Sequence, residues 1–215
     1  MSRQLEPFVI AGIVNKLQTD TYIREIERYG DSTIANAEVI FHLDSTFVLN
    51  ILKYFADNGD DLKRHLVTIK CIDEILTGFK QSLTSKIEIC SAIVQQNVDS
   101  HGSTFTKDVD EKYRKYGRNI QTYLETGDVA DADYIEINKL WDQRMRLFAP
   151  IYQEIYGLFQ AVNGEPPIRG FATNIIHMFV NRILVSDQKK NEFIFYGLLK
   201  KYYWSVQARR NLVRI

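Results

Sequence analysis

The sequence predicts a mainly α-helical fold with a small β element, comprising about seven to nine helices and one or two short strands. From Asp31 onward, apolar residues recur at the spacing of helices that bury one face, and turn-forming clusters such as Asn58-Gly59-Asp60 separate them. Residues 14–29 are instead rich in β-branched and aromatic residues and end at Gly30, which predicts a strand in part of this segment.

The predicted helices follow one another through the rest of the chain. An early helix is expected to end before Asp44 or Ser45, either of which could cap the next one. Pro150 is expected to kink a long helix. The later helices are predicted at 61–80, 83–98, 105–125, 134–162, 168–185 and 187–211. We expect residues 1–215 to form a single domain, because a chain of this length can bury one sizeable core.

Composition and charge narrow the classes of function. Lys plus Arg and Asp plus Glu number 27 each, and this balance disfavours direct nucleic-acid binding, which needs excess cations to displace counterions. No signal peptide and no membrane span are predicted, so we expect a soluble, cytoplasmic protein. Cys71 and Cys90 lie in apolar helical patterns without metal-ligand spacing, which predicts buried thiols. No metal site and no cofactor are predicted.

The first motif with chemical potential is the run Tyr-Ile-Arg-Glu-Ile-Glu-Arg-Tyr-Gly at residues 22–30. Arg24 and Arg28 are four residues apart, so either a strand or a helix puts them on one side. Tyr22 joins them there if the segment is a strand. Two guanidiniums beside a phenol would make a carboxylate receptor, because each arginine offers a planar fork of donors. The alternative is a solvated edge strand whose arginines are neutralised by the two neighbouring glutamates.

The second motif lies in the helix predicted around residues 171–184. Its apolar residues cover one broad face, and Thr173, Asn174, His177 and Asn181 share the remaining arc, which holds no acid or lysine. Such an arc is typical of a cleft lining or of a hydrogen-bonded seam. Histidine can transfer protons near neutral pH, and Arg182 follows closely. The alternative is a buried structural histidine with structural amides around it.

These motifs resemble the elimination domain of lantibiotic dehydratases, which also occurs in thiopeptide-type bacteriocin biosynthesis proteins. Residues 22–30 are similar to the first motif of that family. Residues 37–45, Ala-Glu-Val-Ile-Phe-His-Leu-Asp-Ser, are similar to its "AE…F…DS" segment, and residues 177–182, His-Met-Phe-Val-Asn-Arg, to its "HM…NR" segment. The segments occur in the family's order, and the resemblance extends across nearly the whole chain.

The resemblance implies that the chain removes glutamate from glutamylated Ser or Thr of a precursor peptide, leaving dehydroamino acids. It implies that His177 transfers the proton and that Arg28 binds the glutamyl group. The remaining candidate substrate-binding residues are Tyr22, Arg24, Asn181 and Arg182. The implied partners are the precursor peptide and a dehydratase subunit or domain that esterifies its Ser and Thr with glutamate from glutamyl-tRNA.

One feature of the family is not found in this sequence. Elimination domains begin with strands that carry further active-site arginines, and residues 1–18 contain no equivalent. We therefore expect the chain to be the C-terminal portion of such a domain and its activity to need a partner chain. Two alternatives stay open: a truncated, non-catalytic member that binds a partner or leader peptide, and a pyridine-forming cyclase of thiopeptide pathways. Arg28 and His177 together favour elimination over cyclisation.

Overall fold

The computed structural model describes residues 26–58, 61–101, 103–126, 132–163, 168–184 and 188–212. Eight helices lie in this part of the chain, and they account for nearly all of it. They are α1 (Ile26–Tyr29), α2 (Ile34–Asn58), α3 (Asp61–Gly78), α4 (Leu83–His101), α5 (Ser103–Thr126), α6 (Ala132–Asn163), α7 (Ile168–Ile183) and α8 (Gln188–Leu212). This number of helices falls within the predicted range.

The predicted small β element is wrong for the described residues, which contain no strand. The end of the predicted strand is instead one helical turn, α1. Glu27 and Arg28 are good helix formers, and their intrinsic preference agrees with this turn. Gly30 ends it with a φ of 79°, and the Gly30 N–H donates to the Ile26 carbonyl at 2.7 Å. The remainder of the predicted strand, residues 14–25, lies outside the described residues.

The predicted helix boundary at Asp44 or Ser45 is also wrong, because α2 runs through both residues without interruption. Asp44 is fully buried and pairs with Arg144 of α6 instead of capping a helix. The Ser45 hydroxyl donates to the Phe41 carbonyl at 2.7 Å, a bond that serine commonly makes inside a helix. Polar residues in α2 therefore serve long-range and intrahelical contacts rather than a boundary.

The described helices divide into two compact units, and the first contains α1, α2, α6 and α7. The helix α2 packs against α6 and α7, and α1 packs against α2 and α7. Pro150 lies inside α6, which continues on both sides of it. The buried apolar side chains of this unit include Ile40, Phe47, Ile51, Phe148, Tyr152, Ile155, Phe171, Ile175 and Phe179. Their spacing along each helix is the three-to-four-residue repeat that the sequence shows.

The Ile34–Ala56 part of α2 is long and apolar enough, by length and composition alone, to cross a membrane. Core helices of globular proteins pass the same test, and here α2 packs against three other helices of its unit, α1, α6 and α7. Asp44, near the middle of that segment, is held in a buried ion pair.

The second unit contains α4, α5, α8 and α3 from His65 onward. The helix α8 packs against α4 and α5, and Gly197 of α8 permits a close approach, since an added Cβ would lie 3.2 Å from Ile120 Cδ1. Cys71 and Cys90 are buried and free, as predicted, and burial, followed by the charge of Asp73, raises the pKa of the Cys90 thiol to about 12. The assignment of residues 1–215 to a single domain stays a prediction.

One polar cluster connects three helices of the second unit. Asp73 of α3 accepts hydrogen bonds from Lys86 Nζ of α4 at 2.9 Å and, in α8, from Lys201 Nζ at 2.8 Å and Tyr202 Oη at 2.6 Å. Burial would raise the pKa of Asp73, but the charges of Lys201 and Lys86, together with the hydrogen bonds from Lys201 and Tyr202, outweigh it and lower this pKa to about 2. The carboxylate thus remains ionised and holds the three helices together.

Candidate functional site

The helix α7 has one buried face and one polar face. Its buried residues are Phe171, Ala172, Ile175, Ile176, Phe179, Val180 and Ile183. Asn174, His177 and Asn181 follow each other at intervals of three and four residues, so they lie along the opposite face. His177 and Asn181 are exposed, and Asn174 is half-buried. The alternative of a buried structural histidine is therefore wrong for His177.

His177 is oriented by its neighbour one turn along the helix. Asn181 Nδ2 lies 3.1 Å from His177 Nε2. The orientation of the Asn181 amide decides whether Nε2 accepts or donates this bond. Asn181 therefore influences which ring nitrogen of the neutral imidazole carries the proton, and it leaves Nδ1 outside this contact.

The two sequence motifs meet where α1 contacts α7. Asn174 Nδ2 donates to the backbone carbonyl of Arg28 at 3.3 Å, across 146 residues of sequence. Arg28 is exposed, and the next residue, Tyr29, is buried. The Tyr29 ring packs edge-on against Phe41 at 5.2 Å and against Phe171 at 5.8 Å, measured between ring centroids. These contacts fix α1 against α2 and α7 and hold the backbone of Arg28 beside the polar face of α7.

Arg182 lies at the C-terminal end of the same helix but makes different contacts. Its Nη1 donates to the Met178 carbonyl at 2.9 Å, and its guanidinium lies 5.0 Å from the centroid of the Phe41 ring. Burial lowers the pKa of Arg182, and the negative charge of Asp44 opposes this effect. The side chain thus stabilises the last turn of α7, where a cation also interacts favourably with the helix dipole. Tyr22 and Arg24 lie outside the described residues.

Sequence reasoning did not identify the buried ion pair that supports α7. Asp44 Oδ1 accepts hydrogen bonds from Arg144 Nε at 3.2 Å and Nη2 at 3.0 Å, and the two side chains are 0% and 1% exposed. The guanidinium carbon lies 4.1–5.8 Å from the centroids of four rings, which belong to Phe47, Trp141, Phe148 and Phe179. Since Phe179 belongs to α7, this cluster helps to hold the helix that carries His177. The sequence signal for this ion pair is the presence of an acidic residue, Asp44, within the apolar stretch 39–48.

The described residues enclose little space around the Asp44–Arg144 ion pair. A cavity of about 50 Å³ lies between α2 and α6, and its lining includes Leu43, Arg144 and Phe148 but neither Arg28 nor His177. That volume would hold one or two water molecules. Within the described ranges, no group of three or more His, Cys, Asp or Glu side chains could hold a metal ion.

Comparison with known proteins identifies the class to which this helical chain belongs. The family described as the C-terminal part of lantibiotic biosynthesis dehydratases matches residues 1–203. The chain therefore belongs to this family. It is also similar to the nisin biosynthesis protein NisB of Lactococcus lactis subsp. lactis, with 25% identity over 197 residues. That alignment covers 88% of this chain but only 18% of NisB. No solved structure gives a significant match.

Proposed function

We propose that this chain eliminates glutamate from glutamylated Ser and Thr side chains of a precursor peptide, which yields dehydroalanine and dehydrobutyrine. The observation that supports this most is the hydrogen bond from Asn174 to the Arg28 carbonyl. It joins the backbone of the arginine motif to the helix of His177, and we infer that the Arg28 guanidinium and the His177 imidazole lie on one surface. The membership of the chain in the dehydratase family agrees with this chemistry.

The reaction needs one base and a means of holding an anionic leaving group. The base removes the α-proton of the glutamylated residue, a Cα–Cβ double bond forms, and the Cβ–O bond breaks. Glutamate leaves as a carboxylate, and the proton passes from the base to solvent or to the departing group. A positioned histidine is well suited to the first step, and a guanidinium to the second.

We assign these tasks to residues on the polar face of α7 and on α1. His177 takes the proton, and Asn181 orients its imidazole ring through the contact with Nε2. Arg28 binds the glutamyl carboxylate, and Tyr22 and Arg24 assist it. Arg182 was also a candidate for substrate binding, but its contacts with Met178 and Phe41 favour a supporting role at the end of α7.

The proposed partners follow from the size of the relative. The chain spans 18% of the length of NisB. We therefore propose that a separate region or subunit attaches glutamate to the precursor peptide, and that the elimination region also requires the arginine-bearing strands of the family. This arrangement would operate in the cytoplasm, because glutamyl-tRNA is the implied glutamate donor.

Mass spectrometry of a glutamylated precursor peptide tests the proposal. The peptide is incubated with the full chain, alone and together with the glutamylating partner, and the products are compared for wild type, His177→Ala and Gln160→Ala. Gln160 is a matched control, because its amide bonds to the Tyr156 hydroxyl on the exposed face of α6 in the same unit. We expect wild type and Gln160→Ala to release glutamate from the peptide, whereas the peptide incubated with His177→Ala should keep its glutamate.

Two other outcomes would refute the proposal. If the peptide keeps its glutamate with every protein, including wild type, but still binds, the result would favour a non-catalytic member of the family. Retention of glutamate on the glutamylated peptide, together with cyclisation of a peptide that already contains dehydroalanines, would favour the pyridine-forming chemistry instead.

A further inference from the structure

The single turn α1 is held largely through its carbonyl groups. A helix end leaves carbonyls without intrahelical partners, and a four-residue helix consists almost entirely of such ends. Here the Ile26 carbonyl accepts from the Gly30 N–H at 2.7 Å, and the Tyr29 carbonyl accepts from the Thr33 hydroxyl. Both donors are close in sequence, so they shape the turn but do not fix it against another helix.

The Arg28 carbonyl differs because its partner comes from a distant helix. The donor is Asn174 of α7, which is 146 residues away and precedes His177 by three positions. Side chains three positions apart on a helix lie about 5–6 Å from each other at Cβ. The bond therefore fixes the starting point of the Arg28 side chain within reach of the same substrate as His177.

Apolar contacts hold α1 independently of this bond. Tyr29 is 2% exposed and packs against Phe41 and Phe171. Loss of the Asn174 amide would consequently leave α1 attached to its unit. The expected change is a small displacement or rotation of the turn, which would move the Arg28 guanidinium relative to His177.

We propose that Asn174 is a positioning residue that sets Arg28 beside His177 for recognition of the glutamyl group. This inference rests on the proposed function, since it assumes that Arg28 binds the glutamyl carboxylate. Asn174 itself touches the Arg28 backbone and is not assigned contact with substrate. Its effect should therefore disappear when the Arg28 guanidinium is absent.

A double-mutant cycle on peptide binding tests this inference. The probe is a precursor peptide in which glutamate is attached through an amide to 2,3-diaminopropionate, because the amide is a poor leaving group and the complex persists. Affinity is measured for wild type, Asn174→Ala, Arg28→Ala and the double variant, each with the probe and with the unmodified peptide. Gln160→Ala serves again as the amide control in the same unit.

We expect Asn174→Ala to weaken binding of the probe roughly 3- to 10-fold, because this variant loses the one hydrogen bond that positions Arg28. Binding of the unmodified peptide should stay at the wild-type value. In the Arg28→Ala background, the Asn174 replacement should have no further effect, because interacting residues are non-additive. The thermal unfolding midpoint of Asn174→Ala should stay close to that of Gln160→Ala.

Three outcomes would overturn the inference. The losses of probe affinity in Asn174→Ala and Arg28→Ala could add up in the double variant, or Asn174→Ala could weaken binding of the probe and of the unmodified peptide equally. The third is that wild type binds the probe and the unmodified peptide with the same affinity. Failure of the proposed function looks different. If wild type never releases glutamate from the ester substrate but the binding cycle is non-additive, Asn174 still positions Arg28 for glutamyl binding and only the elimination chemistry is wrong.

Discussion

In the described part of each unit an aspartate connects helices, and the two aspartates differ in burial and in the direction of their pKa shifts: Asp44 is buried and Asp73 is half-buried. In the first unit, Asp44 is 0% exposed and has Arg144 as its ion-pair partner. In the second unit, Asp73 is 19% exposed and accepts hydrogen bonds from Lys86, Lys201 and Tyr202. Burial raises the pKa of Asp44 despite the charges of Arg144 and Arg182, whereas the pKa of Asp73 is lowered to about 2.

The two pKa values differ because Asp44 is the more deeply buried carboxylate and has one ion-pair partner, whereas the charges of Lys201 and Lys86 outweigh the effect of burial on Asp73. Both oxygens of Asp73 accept hydrogen bonds. Asp44 Oδ2 has no hydrogen-bond partner among the described residues, although it is buried. An unsatisfied oxygen of a buried carboxylate keeps a desolvation cost that one guanidinium does not remove.

The largest predicted effect is on the first unit. Replacement Asp44→Ala would remove the carboxylate from Arg144, which is 1% exposed and cannot turn to water. We expect a loss of about 3–5 kcal/mol in the free energy of unfolding, as for other broken buried pairs. Asp73→Ala should cost less, because Lys86 and Lys201 are 12% and 19% exposed and can reach solvent. Urea unfolding followed by circular dichroism measures both.

A double replacement separates the buried charge from the packing at this position. Asp44→Leu combined with Arg144→Met removes both charges and keeps apolar volume, so it should recover most of the stability lost in Asp44→Ala. If Asp44→Ala were as stable as wild type, the ion pair would not support α7 as described.

The second prediction concerns pH and has opposite signs in the two units. Asp73 has a folded-state pKa of about 2, below its ordinary value of 3.8. Its contribution, about 2 kcal/mol, is thus complete above pH 3.8 and is lost as the pH falls towards 2. Asp44 has a raised pKa, so its proton-linked contribution is present below 3.8 and is lost as the pH rises through that raised value.

Acid unfolding of two asparagine variants measures this difference. Asp73→Asn should flatten the loss of stability below pH 3.8, whereas Asp44→Asn should leave the slope below pH 3.8 unchanged. Identical acid limbs for wild type and Asp73→Asn would contradict the assignment of the low pKa to this cluster.

The sequence predicted neither of these two clusters. Asp73 and the residues that bond to it lie in helices whose approximate positions follow from the hydrophobic periodicity. The contact between these helices depends on tertiary packing, since Asp73 and Lys201 are 128 residues apart. The local sequence predicts Asp44 to be a helix cap, because a cap is the common local role of an aspartate next to an apolar stretch. Its partner Arg144 is 100 residues away, so no local pattern could distinguish the two explanations.

The third prediction compares two left-handed backbone positions, one in each unit. Gly30 follows α1 with a φ of 79°, and Lys80 follows α3 with a φ of 52° in a Schellman-type end, where the Gln81 N–H bonds to the Leu76 carbonyl. Gly30→Ala should destabilise by about 1–2 kcal/mol, because its Cβ would also lie 3.2 Å from Thr33 Oγ1. Lys80→Gly should stabilise by up to about 1 kcal/mol. Thermal unfolding measures both, and equal signs would refute the comparison.

The smallest predicted effect is on an exposed ion pair of the first unit. Lys139 lies 2.6 Å from Glu136, and the two side chains are 66% and 61% exposed. Lys139→Ala should change the free energy of unfolding by less than about 0.5 kcal/mol, because solvent screens such pairs. If Lys139→Ala lowered the free energy of unfolding as much as Asp44→Ala does, burial would not decide which ion pair contributes more to stability.

The sequence predicted the polar face of α7. The spacing of Asn174, His177 and Asn181 fixed the polar face of α7, because helical geometry is local. Part of residues 14–29 is predicted to be a strand because β-branched and aromatic residues are frequent there, whereas residues 26–29 form a helical turn in the structure. The contact between Asn174 and Arg28 joins residues 146 positions apart, and no periodicity could predict it.

The most direct test of the central claim is the single-turnover rate of glutamate elimination from a glutamyl-serine peptide with hydrogen or deuterium at the serine Cα. We expect wild type, with its glutamylating partner present, to react more slowly with the deuterated peptide. We expect His177→Ala to be roughly 100- to 10,000-fold slower while it still binds the glutamyl-amide probe. Elimination by His177→Ala at the wild-type rate would contradict the assignment of His177 as the base.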